Sequence, residues 1–127
     1  MEIKKILIID DNKNEQLFLT RALSKLYSCE VITADNGQQG LQKIVLDNPD
    51  LIFLDVMMPV MDGIQMLEIL RVQHPQITTP VIALTARSDG ATLNKLLTLN
   101  VDEYLLKPIN FEQIANKIDK IAGKSNF

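Results

Sequence analysis

At 127 residues, 46% hydrophobic and 23% charged, the chain is sized for one domain and is too apolar to be natively disordered. Its net charge of −3 excludes holding nucleic acid by bulk charge, and no apolar stretch of membrane-spanning length or leader pattern occurs. A lone cysteine, Cys29, excludes an internal disulfide or a cysteine metal cage and reads as a small apolar residue at a strand edge. It fits a reducing compartment, so the expected location is cytoplasmic, without membrane contact.

In chain order, Ile6–Ile9 is a continuous apolar run, the pattern of a strand covered on both faces, and it ends on Asp10-Asp11. Residues 14–26 place Phe18, Ala22 and Leu26 at helical spacing, with Leu19 and Leu23 beside them. Glu30–Thr33 is shorter and more polar, as an edge strand would be. Asn36 is a candidate cap for a helix over 38–46, which carries Leu41, Ile44 and Val45. Leu51–Leu54 is a second buried-strand run and stops on Asp55. After the greasy segment from Val56 to Met61, Asp62-Gly63 permits a turn, and Asp62 caps a helix over 64–72.

Val81–Leu84 runs into Thr85, and a helix follows over 91–99, capped by Thr85 or by Ser88-Asp89. Tyr104–Leu106 is a weaker strand before Lys107-Pro108. Residues 111–122 form the clearest stripe, with Phe111, Ile114, Ile118 and Ile121, and Asn110 with Gln113 resembles a capping box. Residues 123–127 read as a frayed end. Five strands alternating with five helices predict βαβ units and a parallel sheet covered on both faces, one unit over 1–127 without linker or repeat.

In such a sheet, ligands bind beyond the carboxyl ends of the strands. Asp10, Asp11, Asp55, Thr85 and Lys107 all follow strands directly and so fall at that rim. Each alone has a bland reading: an Asp is a turn or cap residue, a Thr a cap, a Lys before Pro a surface charge. Four strands converging on one rim are harder to dismiss. Two carboxylates about 4 Å apart repel by about 4 kcal/mol at an effective dielectric of about 20, so the cluster demands cations. Lys107 supplies one charge; a hard oxygen-liganded ion such as Mg²⁺ supplies the rest. Lysine and Mg²⁺ around a carboxylate make a site for phosphoryl transfer, in which an aspartate can be the nucleophile and Thr85 can donate to a phosphoryl oxygen.

The stretches "ILIIDDN", "LIFLDVMMPVMDG", "PVIALTA" and "YLLKP" resemble the receiver domain of two-component response regulators, of the chemotaxis-receiver kind. The resemblance implies a flavodoxin-like (βα)5 doubly wound sheet in strand order 2-1-3-4-5, an order taken from the family. It makes Asp55 the phospho-acceptor, Asp11 a direct Mg²⁺ ligand, Asp10 a ligand mainly through water, and the Met57 backbone carbonyl a third ligand. Thr85 becomes the switch hydroxyl, Tyr104 the switch aromatic and Lys107 the phosphoryl-binding ammonium, with a cis Lys107–Pro108 peptide.

The implied partners are a sensor histidine kinase or phosphotransfer protein as donor, and an effector protein or output domain reading the face of the fourth helix, fifth strand and fifth helix. The domain is expected neither to bind nucleic acid directly nor to act as a dedicated enzyme, beyond catalysing its own phosphorylation and autodephosphorylation. A phosphate-dependent dimer is left open, and no output domain follows residue 127. Two readings compete. A phosphorylation-independent interaction module would keep the fold, and the intact set of polar residues argues against it. An aspartate-nucleophile phosphatase would need a second Asp where Met57 stands.

Asn100-Val101 departs from the family's usual Gly-Ala and bears on how freely Thr85 and Tyr104 move. Met57 and Arg87 occupy positions resembling those that tune autodephosphorylation. His74, before Pro75, reads as an exposed loop residue rather than a phosphodonor. Lys117, Lys120 and Lys124 read as a solvated face.

Overall fold

The computed structural model describes residues 2–86 and 89–125. Arg87, Ser88, residues 126–127 and the Lys124 side chain, all singled out above, lie outside the described residues. The elements run β1 Lys5–Ile9, α1 Lys13–Leu26, β2 Glu30–Ala34, α2 Gly37–Asp47, β3 Leu51–Asp55, α3 Gly63–Gln73, β4 Val81–Thr85, α4 Gly90–Thr98, β5 Glu103–Leu106 and α5 Phe111–Ser125. Every neighbouring strand pair is parallel, and the order is β2-β1-β3-β4-β5. This is the flavodoxin-like (βα)5 arrangement expected.

The strand alternation explains why three strands are apolar throughout. Ile6, Ile8, Leu51, Phe53, Ile82 and Leu84 point to one face, where they pack on Leu19 and Leu23 of α1 and Ile114, Ile118 and Ile121 of α5. Leu7, Ile9, Ile52, Leu54, Val81 and Ala83 point to the other, against Ile44 of α2, Met66, Leu67 and Leu70 of α3 and Leu96 of α4. β2 and β5 are the edges. In β5, Leu105 is buried while Tyr104 and Leu106 are exposed, which is why that strand reads weakly in sequence. Cys29 is half-buried against the α1–α5 face, as its bland reading expects.

The caps refine the helix boundaries. Asn12 Oδ1 accepts from the Asn14 and Glu15 N–H groups and starts α1. Asp62 and Gln65 form a full capping box on α3. Asp89, rather than Thr85, caps α4 by accepting from Thr92 N–H at 2.9 Å. Asn110 Oδ1 accepts from Gln113 N–H at 2.9 Å. Helix α5 runs on through Gly123 to Ser125, past the expected fraying point: one glycine costs a helix only about 1 kcal/mol. His74 is not a fully exposed loop residue; it is the half-buried C-cap of α3, and its N–H donates to Leu70 O. It leads toward the start of β4 and so lies at the sheet edge opposite the strand ends that carry the carboxylates.

One tertiary tie has no sequence signature. Arg71 of α3 donates to the carbonyls of Leu99 (2.8 Å), Asn100 (3.2 Å) and Ile77 (3.4 Å), closing the C-terminal end of α4. Asn100 there takes the left-handed conformation with φ 61, which asparagine tolerates, and Val101 is buried against the core. The departure from Gly-Ala is thus accommodated. Arg71→Met, which keeps the stem and removes the donors, is expected to lower stability by about 1–3 kcal/mol, read by urea unfolding.

Candidate functional site

The site is built by strand ends. β1, β3 and β4 end near one level, with Ile9 beside Leu54 and Asp55 beside Leu84, which brings Asp10, Asp55 and Thr85 to the same rim. Backbone bonds hold these ends: Asp10 N–H donates to Ala34 O at 3.0 Å, Val56 N–H to Leu84 O at 2.9 Å and Lys107 N–H to Thr85 O at 2.9 Å. Asp10, Asp55 and Thr85 are almost fully buried, whereas Asp11 is exposed. The carboxylates of Asp10, Asp11 and Asp55 each place an oxygen within 4.8 Å of the others. Lys107 Nζ lies 3.0 Å from Asp55 Oδ1, and the Lys107–Pro108 peptide is cis.

The electrostatics follow from burial. Asp10 is raised to about 8, first by desolvation and then by the charges of Asp55 and Glu15; the Asn12 N–H that donates to its Oδ1 at 2.9 Å opposes this. Asp55 is also raised by desolvation, with Lys107 pulling the other way. Burial works to lower the Lys107 ammonium, but its bonds to Glu15 and Asp55 outweigh that and raise it. Asp10 Oδ2 is enclosed and finds no hydrogen-bond partner among the described residues. An orphaned buried carboxylate oxygen beside two more carboxylates is the donor set a hard divalent cation takes.

The residues singled out in the sequence divide into two groups. Asp10, Asp11, Asp55 and Lys107 come together. Thr85 ends β4 at the same rim, and Met57 joins it through its backbone, its N–H donating to Asp55 Oδ1 at 3.3 Å. Tyr104 is not among them: the residue is 39% exposed, with Lys117 Nζ of α5 5.5 Å from its ring centroid. Lys117 also pairs with Glu103 at 3.3 Å, so it is not simply a solvated charge. In the loop after β3, Met58 is buried, while Met57 and Val60 are exposed and Val60 sits at φ 68, a strained conformation for a β-branched residue.

Sequence reasoning missed Glu15. Its Oε1 is 2.8 Å from Lys107 Nζ, slightly closer than Asp55 is. A signal was present, since Glu15 stands in the first turn of α1, three residues after the Asn12 cap and directly beyond the Asp10-Asp11 rim. An acidic residue in a first turn ordinarily reads as a partner of the helix dipole, and that reading conceals it.

Set beside known proteins, residues 6–119 match the family described as the response regulator receiver domain. The chain is 39% identical over 127 residues to the transcriptional regulatory protein CpxR of Escherichia coli K12, covering 98% of this chain and 52% of that one. It is 34% identical over 122 residues to the alkaline phosphatase synthesis transcriptional regulatory protein PhoP of Bacillus subtilis, covering 96% and 50%. The chain thus spans about half the length of these relatives. Among solved structures it is similar to a two-component response regulator from Clostridium difficile (TM-score 0.87, 28% identity, 98% and 99% covered). It is also similar to the Vibrio cholerae chemotaxis protein CheY4 (TM-score 0.85, 27% identity, 94% and 98% covered). With a family match over most of its length and the strand order of that fold, the chain belongs to the response regulator receiver domains of two-component signal transduction.

Proposed function

We propose that the chain is a phosphorylation-operated switch in which Asp55 accepts a phosphoryl group from the phosphohistidine of a kinase or phosphotransfer protein. The observation that carries this reading is the placement of Asp55: buried at a strand end, 3.0 Å from Lys107 Nζ and clustered with Asp10 and Asp11. An Asp55 carboxylate oxygen attacks phosphorus in line, the phosphorus–nitrogen bond breaks, and the imidazole leaves with the electron pair and takes up a proton. Asp10, Asp11, Asp55 and the Met57 carbonyl would hold Mg²⁺. When bound, that ion neutralises the carboxylates and the charge spread over the phosphoryl oxygens. Lys107 holds a phosphoryl oxygen and Thr85 donates to another.

In the same reading Tyr104 follows Thr85 inward, changing the face of α4, β5 and α5 that an effector or output domain reads. Its outward position here is the starting state. A partner need only prefer one state: moving a 1:99 population to 99:1 takes about 5.5 kcal/mol of differential interaction. The partial coverage of relatives named as transcriptional regulators supports an output domain as one such partner. The proposed setting is the cytoplasm; among the described residues no helix is long and apolar enough to cross a membrane. The domain catalyses its own phosphorylation and is otherwise a signalling module.

The test is intact mass after incubation with Mg²⁺ and a small acyl phosphate, with the native donor kinase as a second source. Gain of one phosphoryl group by the native chain, lost in Asp55→Asn and on chelation, is the expected result. A gain that persists in Asp55→Asn overturns the assignment, as does no gain from either donor.

A further inference from the structure

We infer that Glu15 is a positioning residue of the site: it shares the Lys107 ammonium with Asp55 and so limits how much of that charge a phosphoryl group can claim. The inference rests on the reading of Asp55 as acceptor.

Its ground is geometric. One ammonium is shared between two carboxylates, at 2.8 Å to Glu15 Oε1 and 3.0 Å to Asp55 Oδ1. The Lys107 and Glu15 side chains are 21% and 27% exposed, so this pair is shielded more than a surface ion pair. Glu15 Oε2 is enclosed and finds no hydrogen-bond partner among the described residues, so the hold of the site on this carboxylate runs through Lys107. The helix keeps Glu15 there, because its own N–H is fixed by the Asn12 cap at 3.1 Å. Both side chains line an open cleft of ≈ 260 Å³ beside Pro108, which leaves Glu15 room to withdraw.

Two consequences of opposite sign follow. The Glu15 charge helps attract a cation to the rim, and by occupying Lys107 it leaves Asp55 more available to that cation. The same charge competes with an arriving phosphoryl group for Lys107. Glu15→Gln keeps the shape and a polar tip and removes the charge. It is therefore expected to weaken Mg²⁺ binding and to strengthen binding of a phosphoryl mimic, each roughly three- to tenfold, the range of one charge a few ångströms away in a partly screened site.

The experiment is calorimetric titration of the whole chain with Mg²⁺ alone, then with beryllofluoride at saturating Mg²⁺, for native protein, Glu15→Gln, Lys107→Met and the double variant. Thermal unfolding of each variant confirms that it is folded. Opposite shifts in Glu15→Gln, with the beryllofluoride gain lost when Lys107 is also replaced, support the inference. Unchanged constants, a loss of both affinities, or a beryllofluoride gain that persists without Lys107 overturns it. If native protein fails to bind beryllofluoride, or Asp55→Asn binds it equally, the acceptor reading itself fails, and the two failures are told apart.

Discussion

In the absence of divalent cations, the melting temperature of the chain is expected to fall as pH rises from about 5 to about 8, and Asp10→Asn to abolish most of that fall. The sign follows from the direction of the shift. Folding raises the Asp10 carboxyl from 3.8 to about 8, so between these values the native state holds a proton that the unfolded chain has released. Stability linked to this group is therefore full below the unfolded value and lost as pH climbs through the folded one. Asp55, also raised, acts in the same direction.

Above about pH 8 the native chain crowds ionised carboxylates whose oxygens lie within 4.8 Å, and Asp10→Asn should then be the more stable protein by about 2 kcal/mol. Near pH 5 the two should unfold alike. Adding Mg²⁺ to the native chain at the alkaline end should restore stability, by about 2.7 kcal/mol at a hundredfold excess over its dissociation constant. Differential scanning calorimetry across the pH series, with and without Mg²⁺, checks all three statements. A native melting temperature that rises toward pH 8 without metal would show that the cluster is not strained by its own charge.

Gly63→Ala is expected to be the most damaging small substitution near the site. A Cβ there would stand 2.7 Å from the Asp55 carbonyl oxygen and 3.0 Å from Val56 Cα, both backbone atoms that cannot swing aside. The first turn of α3 must retreat or the end of β3 must move, an overpacking cost of about 1–3 kcal/mol. The better helix propensity of alanine offsets only part of it. The Gly63 N–H bond to Val56 O, 2.9 Å long, is strained by the same displacement. Because the obstructed atom belongs to Asp55, acyl-phosphate labelling should slow along with the loss of stability. Gly90→Ala is the control: it also opens a helix, a Cβ there would meet nothing within 4 Å, and it should stabilise by about 0.4–1 kcal/mol. Urea unfolding of the pair separates a packing clash from a general effect of replacing helix-opening glycines.

Much of the fold was legible in the chain because its causes are local. A strand buried on both faces has to be apolar at every position, so Ile6–Ile9, Leu51–Leu54 and Val81–Leu84 announce themselves. Asp62 and Asn110 sit within a turn of the N–H groups they cap. The rim residues were legible for a related reason: a parallel sheet puts all its carboxyl ends on one side, so Asp10, Asp55, Thr85 and Lys107 needed only their places after the strands to be brought together.

Other features depend on distances that no local pattern carries. Whether Thr85 or Asp89 caps α4 turns on where the backbone leaves β4, and Asp89 lies nearer the helix. Tyr104 pairs with Ala83 in the sheet whichever way its ring points; the outward position beside Lys117 is decided by α5. Arg71 meets the end of α4 only because α3 and α4 share a face of the sheet. Glu15 and Lys107 come from opposite ends of the chain, and only α1 packing beside the segment after β5 makes them partners. Apolar period and strand-end chemistry, both short-range, are thus enough to establish the architecture and the acidic rim. How the one ammonium at that rim is divided between two carboxylates is a matter of ångströms between distant segments, and Coulomb energy at that range is settled by packing.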